Sequence, residues 1–219
     1  AVGYFYLQEG SVSCDNLLIK SNESKEYLFK IITNDTFQLI NSVISENQIG
    51  LAIINPISHN SFFKNCLFEK NFSKEQATYI LQHENILNLI NCTFSKNDIE
   101  IYPYSSNALK LATNCVLEDI SDKLYFLYTS NKAEYAYCYF DSRDCPPVGA
   151  SVACGPGNIV GVDPIFRDPA NGDYSLLPCS PLLNAGSNAA AAGILTDFNG
   201  DPRIQGDTVD IGAFEAPAL

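Results

Sequence analysis

Apolar positions along the first two-thirds of the chain alternate with a period of two, in runs only a few residues long, which is the signature of short β-strands. Leu87 and Leu89 share one face of such a run, and Cys92 and Phe94 continue it after a break at Asn91. The break recurs. Residues 15–22, 40–47, 64–71 and 90–97 align as DNLLIKSN, INSVISEN, KNCLFEKN and INCTFSKN, with weaker copies at 113–119 and 136–143. Their second position is Asn16, Asn41, Asn65, Asn91, Asn114 and then Tyr137, at steps of 25, 24, 26, 23 and 23 residues. A partner asparagine follows six residues later in four copies, and an earlier column holds Asn34, Asn60, Asn85, Asn107 and Asn131. Between copies lie apolar, β-prone runs at 28–32, 51–54, 78–81, 99–102 and 124–128. Each period therefore holds about three short strands separated by asparagine-marked bends.

Repeats of this length are too short for ankyrin or tetratricopeptide units, and the consensus is not that of leucine-rich repeats. Three strands per coil, with coils stacked about 4.8 Å apart, predict an all-β parallel β-helix of about six coils of 23–26 residues. In such a solenoid equivalent positions stack. A bend-held asparagine then bonds the asparagine of the next coil, and asparagine tolerates the left-handed conformation that turns the chain. The Asn91-Cys92-Thr93 sequon reads as one rung of that ladder rather than as a glycosylation site.

The cysteines divide into two sets. Cys66, Cys92, Cys115 and Cys138 follow the marker position and alternate with the core, which predicts a column of buried free thiols. A metal site is a poor fit, because one ligand per coil along a line does not make a tetrahedron. Cys145, Cys154 and Cys179 lie beyond the repeats as disulfide candidates, Cys145–Cys154 and Cys154–Cys179 being the competing pairs. Cys14 stands beside the first coil.

Composition changes near residue 144. All ten lysines lie at or before Lys132, while nine of eleven prolines and ten of thirteen glycines lie at or after Pro146. This predicts solenoid coils over 1–143 and a loop-rich capping region over 144–219, continuous with the solenoid and with the boundary at roughly 143–160, that covers the open end of the solenoid. The net charge of −12 excludes a nucleic-acid surface, and no apolar run approaches the roughly 18 residues that span a bilayer. With no methionine in the chain, Ala1 is expected to be a processed N-terminus or a cut within a longer protein.

Four motifs then follow in order: GNIVGVDPIF at 157–166, DPANGDYSLLPCSPLLNAG at 168–186, DFNGDPR at 197–203 and VDIGAFE at 209–215. Together they resemble the C-terminal region of bacterial secreted right-handed parallel β-helix repeat proteins of the choice-of-anchor Q type. The resemblance implies right-handed coils, export and an extracellular or cell-surface location. It implies no single activity, since such proteins include presumed adhesins and parts of polysaccharide-degrading enzymes.

Candidate chemistry is sparse. Asp197, Asn199 and Asp201 have the oxygen spacing of a calcium loop but lack its closing glutamate, so a turn on Asn199-Gly200 is the competing reading. Arg203 is expected to pair with Asp210 or Glu215. Ser180, Pro181 and Gly186 suit a short helical turn. His59 and His83 differ in their offsets from the repeat, which places them on the surface. Asp98, Glu100, Glu118 and Asp119 are candidate carboxylate pairs, best read as solvated acids, and Tyr102, Tyr104, Tyr125 and Tyr128 form a possible sugar-stacking strip. The expected function is a non-catalytic structural or adhesive module with no cofactor unless calcium binds. Its expected partners are further copies of itself, head to tail, or cell-surface carbohydrate. A lyase-like polysaccharide-degrading enzyme, or the carbohydrate-binding part of one, is the alternative.

Overall fold

The computed structural model describes residues 3–6, 10–25, 27–49, 52–58, 60–73, 79–83, 85–98, 100–103, 109–118, 132–141 and 152–218. Among them there is no helix, and the strands stack as a parallel β-solenoid. Its long second sheet runs from Val12–Asp15 through Thr36–Ile40, Asn60–Lys64, Ile86–Ile90, Leu109–Thr113 and Lys132–Ala136 to Val152–Cys154. The third runs from Leu18–Lys20 through Val43–Ser45, Leu67–Glu69, Thr93–Ser95, Val116–Leu117 and Tyr139–Phe140 to Ile159–Val160. A first sheet of five strands begins at Gly3–Tyr6, and three two-residue strands starting at Glu23–Ser24 make a fourth face. The described rungs thus number seven, seven, five and three by face, where the repeat predicts about six coils of three strands.

Stacking in register makes the core a set of side-chain columns. Ile19, Ile44, Phe68, Phe94, Leu117, Phe140 and Val160 succeed one another through parallel pairings. Phe68 and Phe94 stack with centroids 4.4 Å apart and planes 2° from parallel, while Phe37 meets Phe63 edge to face at 5.7 Å.

Left-handed bends turn the chain, two of them in each of four described rungs. The marker positions Asn16, Asn41, Asn65, Asn91, Asn114 and Tyr137 have φ between 48° and 55°. The second bend falls on Ser21, Glu46, Lys70 and Lys96, one residue before each partner asparagine. In the last rung Gly161 takes the left-handed conformation, φ 64°, one register position earlier than those four. There the chain leaves the solenoid.

The strands Val152–Cys154 and Ile159–Val160 add a rung beyond residue 143, so the solenoid runs to the far end of the boundary expected at 143–160. The region that follows is a buttress along the flank, not a lid over the end. It packs Phe166, Tyr174, Leu176, Leu182, Ile211 and Phe214 against the outward-facing Leu67, Val116 and Tyr139 of the third sheet. Those outward positions are apolar, and a flank carrying them has to be covered. Ties from Asn65 Nδ2 to the Thr196 carbonyl (2.7 Å), from Lys70 Nζ to the Ala170 carbonyl (2.9 Å) and from Lys96 Nζ to the Pro169 carbonyl (2.9 Å) hold it there. In the last rung Ala153 and Cys154 are exposed and Ile159 and Val160 only half-buried.

Candidate functional site

The partner asparagines form the continuous ladder. Asn22 Nδ2 donates to Asn47 Oδ1 (3.1 Å), Asn47 Nδ2 to Asn71 Oδ1 (3.0 Å) and Asn71 Nδ2 to Asn97 Oδ1 (2.8 Å). Each Oδ1 also accepts the backbone N–H of the preceding asparagine. The second proton of each donor reaches a core-strand carbonyl, as from Asn71 Nδ2 to Ile44 (2.9 Å) and Asn97 Nδ2 to Phe68 (2.8 Å). The marker column is bonded less evenly. Asn41 donates to Asp15 and Asn65 donates to Asn41, but Asn114 turns to the buttress, donating to the Ser187 carbonyl and accepting the Ser187 N–H. Asn91 is left between them, buried with neither amide atom partnered, and the Oδ1 of Asn65 is likewise unpartnered.

The earlier asparagine column does not stack. Asn60 is in register with Thr36 and Ile86, so Asn34 and Asn85 sit two and one positions before the matching place. Asn107 and Asn131 lie outside the described residues.

Cys66, Cys92, Cys115 and Cys138 are buried free thiols. Each donates to the carbonyl two residues back, and Cys66, Cys92 and Cys138 also reach Leu39, Phe63 and Ala112 of the preceding rung, at 3.3–3.4 Å. Ser42 fills the same place one rung earlier and donates to Ile40 (2.6 Å). Burial pushes the thiols of Cys66 and Cys115 well up, which disfavours the thiolate needed for attack or metal binding. Cys179 is free and exposed, so the Cys154–Cys179 pair is not formed. Cys145 lies outside the described residues.

Sequence reasoning missed one inward residue. Lys110 is buried in register with Leu87 and Ala133, its Nζ 5.8 Å from the centroid of the Tyr135 ring. The signal was available: the alternation that buries Ala112 buries Lys110 too.

The charged groups of the buttress converge on Arg203, which is 1 % exposed. It donates to the carbonyls of Ala213 (2.9 Å), Asp210 (3.0 Å) and Gly212 (3.0 Å) and pairs with Glu215 at 3.4 Å. Glu215 accepts the N–H groups of Gln205 and Asp210, and Asp210 accepts those of Asn184 and Ala216. Burial pushes Glu215 up to about 7 and raises Asp210, while burial lowers Arg203. Asp210 and Glu215 back a cleft of about 640 Å³ whose rim carries Arg167 and Asp207.

The Asp197 carboxylate accepts the N–H groups of Asn199 (2.9 Å), Asp201 (2.9 Å) and Glu215 (2.8 Å), which makes it the pin of a turn. Among the described residues no three His, Cys, Asp or Glu side chains gather as a metal-binding group. Ser180 accepts the Leu182 N–H at 3.2 Å, but residues 181–184 form a turn and not a helix. Glu118 accepts the Ser95 hydroxyl, and Asp98 is exposed. Glu100, Tyr102 and His83 lie in strands, whereas His59, Tyr104, Asp119, Tyr125 and Tyr128 fall outside the described residues.

The fold and these sites define a parallel β-solenoid with a flank buttress. No protein-family model matches the chain, and no curated protein matches its sequence. No helix among the described residues is long and apolar enough to cross a membrane.

Proposed function

We propose that the chain is a non-catalytic structural or adhesive β-solenoid module, exported to the cell surface or the extracellular space, as the resemblance of its C-terminal motifs to secreted bacterial β-helix proteins implies. One observation carries the non-catalytic part. The buried asparagine amides of the ladder, the buried thiols and the carboxylates of Asp197, Asp210 and Glu215 are engaged in holding structure, the amides on one another and on carbonyls, the thiols on carbonyls and the carboxylates on N–H groups. A catalytic carboxylate or thiol needs a free face toward its substrate. A Cys145–Cys154 disulfide belongs to this reading, since it suits an oxidising compartment. Two measurements test the proposal. Surface proteolysis of intact producing cells should remove the chain. Incubation with a panel of uronate-containing and neutral polysaccharides, with and without calcium, should release no new ends. Turnover of any polymer would overturn the proposal in favour of a polysaccharide-degrading enzyme, for which the cleft beside Arg167 is the place to look first.

A further inference from the structure

Cys66, Cys92, Cys115 and Cys138 are held in line from both sides. Two residues before them, Lys64, Ile90, Thr113 and Ala136 pair in register, and one residue after them, Leu67, Thr93, Val116 and Tyr139 do the same. The carbonyls of Cys66, Cys92 and Cys115 accept the N–H groups of Thr93, Val116 and Tyr139 in the following rung at 2.8–2.9 Å. Successive sulfurs therefore stand one rung apart, about 4.8 Å, each within reach of the next in the order Cys66, Cys92, Cys115, Cys138.

A straight row of sulfurs suits neither zinc, which takes four ligands in a tetrahedron, nor calcium, which takes oxygen. It suits a soft d10 cation that binds two thiolates in a line. Two metal–sulfur bonds of about 2.3 Å laid end to end span about one rung. Charge then chooses among the soft ions. The four sulfurs are fully buried in the apolar core, where a residual charge is costly. Copper(I) or silver(I) between two thiolates leaves a net negative charge, whereas a divalent ion leaves none. Mercury(II) is the divalent d10 ion that favours the linear pair. The exchange of proton for metal also leaves the backbone satisfied. The carbonyls of Lys64, Ile90, Thr113 and Ala136, which accept the thiol protons, also accept the N–H groups of Asn41, Asn65, Asn91 and Asn114.

We propose that the thiol column is a binding site for mercury(II), one ion bridging Cys66 and Cys92 and a second bridging Cys115 and Cys138. At each bridge two S–H bonds break, two Hg–S bonds form and two protons leave for solvent, so the core gains no charge. Burial opposes a bare thiolate, and a neutral bridge does not present one. Each thiolate is used once, so two ions fill the column. The site lies in the core and stands whether the module is structural or enzymatic.

Two double variants with equal numbers of column thiols test the idea. The background is the full chain carrying Cys14→Ser, Cys145→Ser, Cys154→Ser and Cys179→Ser. It is refolded from urea with mercuric ion and an excess of a small monothiol, which strips ions held by one sulfur. After gel filtration this parent should retain two ions per chain, each with two sulfurs and no third ligand by X-ray absorption. Cys66→Ser/Cys138→Ser keeps the neighbours Cys92 and Cys115 and should retain one ion. Cys92→Ser/Cys115→Ser leaves its two thiols three rungs apart and should retain none. Serine suits this place, since Ser42 occupies it one rung earlier and donates to the carbonyl two residues back. If a serine variant loses the circular dichroism of the parent, the same pairs are made with alanine. Equal retention by the two double variants, or no ion held by the parent, overturns the proposal. So does retention of zinc in place of mercury under the same competition, which would require a site of higher coordination.

Discussion

Asn71 shows what the repeat asks of a single residue. Its amide donates to Asn97 and to the Ile44 carbonyl, and its Oδ1 accepts from the side chain and backbone of Asn47. Replacing it with alanine removes four buried hydrogen bonds, so Asn71→Ala is expected to cost about 3 kcal/mol in urea unfolding. Gln48→Ala, at the exposed position beside the ladder, should cost under about 0.5 kcal/mol. The thiols differ in the same way. With an aromatic disulfide reagent in the native state, Cys179 should react first and Cys14 more slowly, its thiol half-buried and raised by burial. Cys66, Cys92, Cys115 and Cys138 should react only on unfolding. Early modification of any of these four would show that the solenoid core opens locally. The marker and partner columns were legible because each sits at a fixed offset from a bend. The column of Asn34, Asn60 and Asn85 was not, because the turns before the second sheet differ in length and shift register by one or two residues.

The buttress is the element that was legible only in part. Its motifs and turns were visible, and the pairing of Arg203 with Glu215 was among those expected. Its seat was not visible, because apolar outward positions such as Val116 and Tyr139 look like ordinary strand residues until the inward columns are assigned. Arg203→Ala removes three carbonyl contacts and leaves Glu215 buried without its cation, so a loss of about 3–5 kcal/mol is expected. The chain has no tryptophan, so tyrosine emission with Tyr174 in the affected cluster is the readout. Glu215 also gives the buttress a pH dependence. Its folded value of about 7 lies above the ordinary 4.5, so protonation favours the folded state. That contribution is complete below about pH 4.5 and is lost as pH rises through 7. Allowing for solvent screening of a partly accessible group, stability should fall by about 1–2 kcal/mol from pH 5 to pH 8 on this account. Asp210 has the same sign, and Arg203 pairs with Glu215 while Asp197 accepts its backbone N–H. Glu215→Gln should flatten this part of the profile. An unchanged pH profile in that variant would assign the dependence elsewhere.

Across the whole molecule the order of rungs sets the order of stability. Each rung rests mainly on its two neighbours, so stability is close to a sum of rung and interface contributions. The rung through Val12 and Ile19 has half-buried core positions, whereas the rungs through Phe63 and Leu89 are sealed. Amide exchange should therefore be fastest around Val12–Asp15 and slowest at Asn60–Lys64 and Ile86–Ile90. The overall architecture was legible in the sequence because one period was written six times. The direction of the final segment was not, because it turns on a one-position shift of a left-handed residue to Gly161.

The buttress also divides the repeats into those whose number is fixed and those whose number is free. Its ties fall on Asn65, Lys70, Lys96 and Asn114, spread over three successive rungs. A whole coil inserted or lost between those points would displace Thr196 or Ser187 from its asparagine by a full rung spacing, about 4.8 Å. A coil added ahead of Asn41 would disturb none of them. The flank segment therefore acts as a gauge: lineages descended from this sequence are free to lengthen or shorten at the front while the braced rungs keep their count.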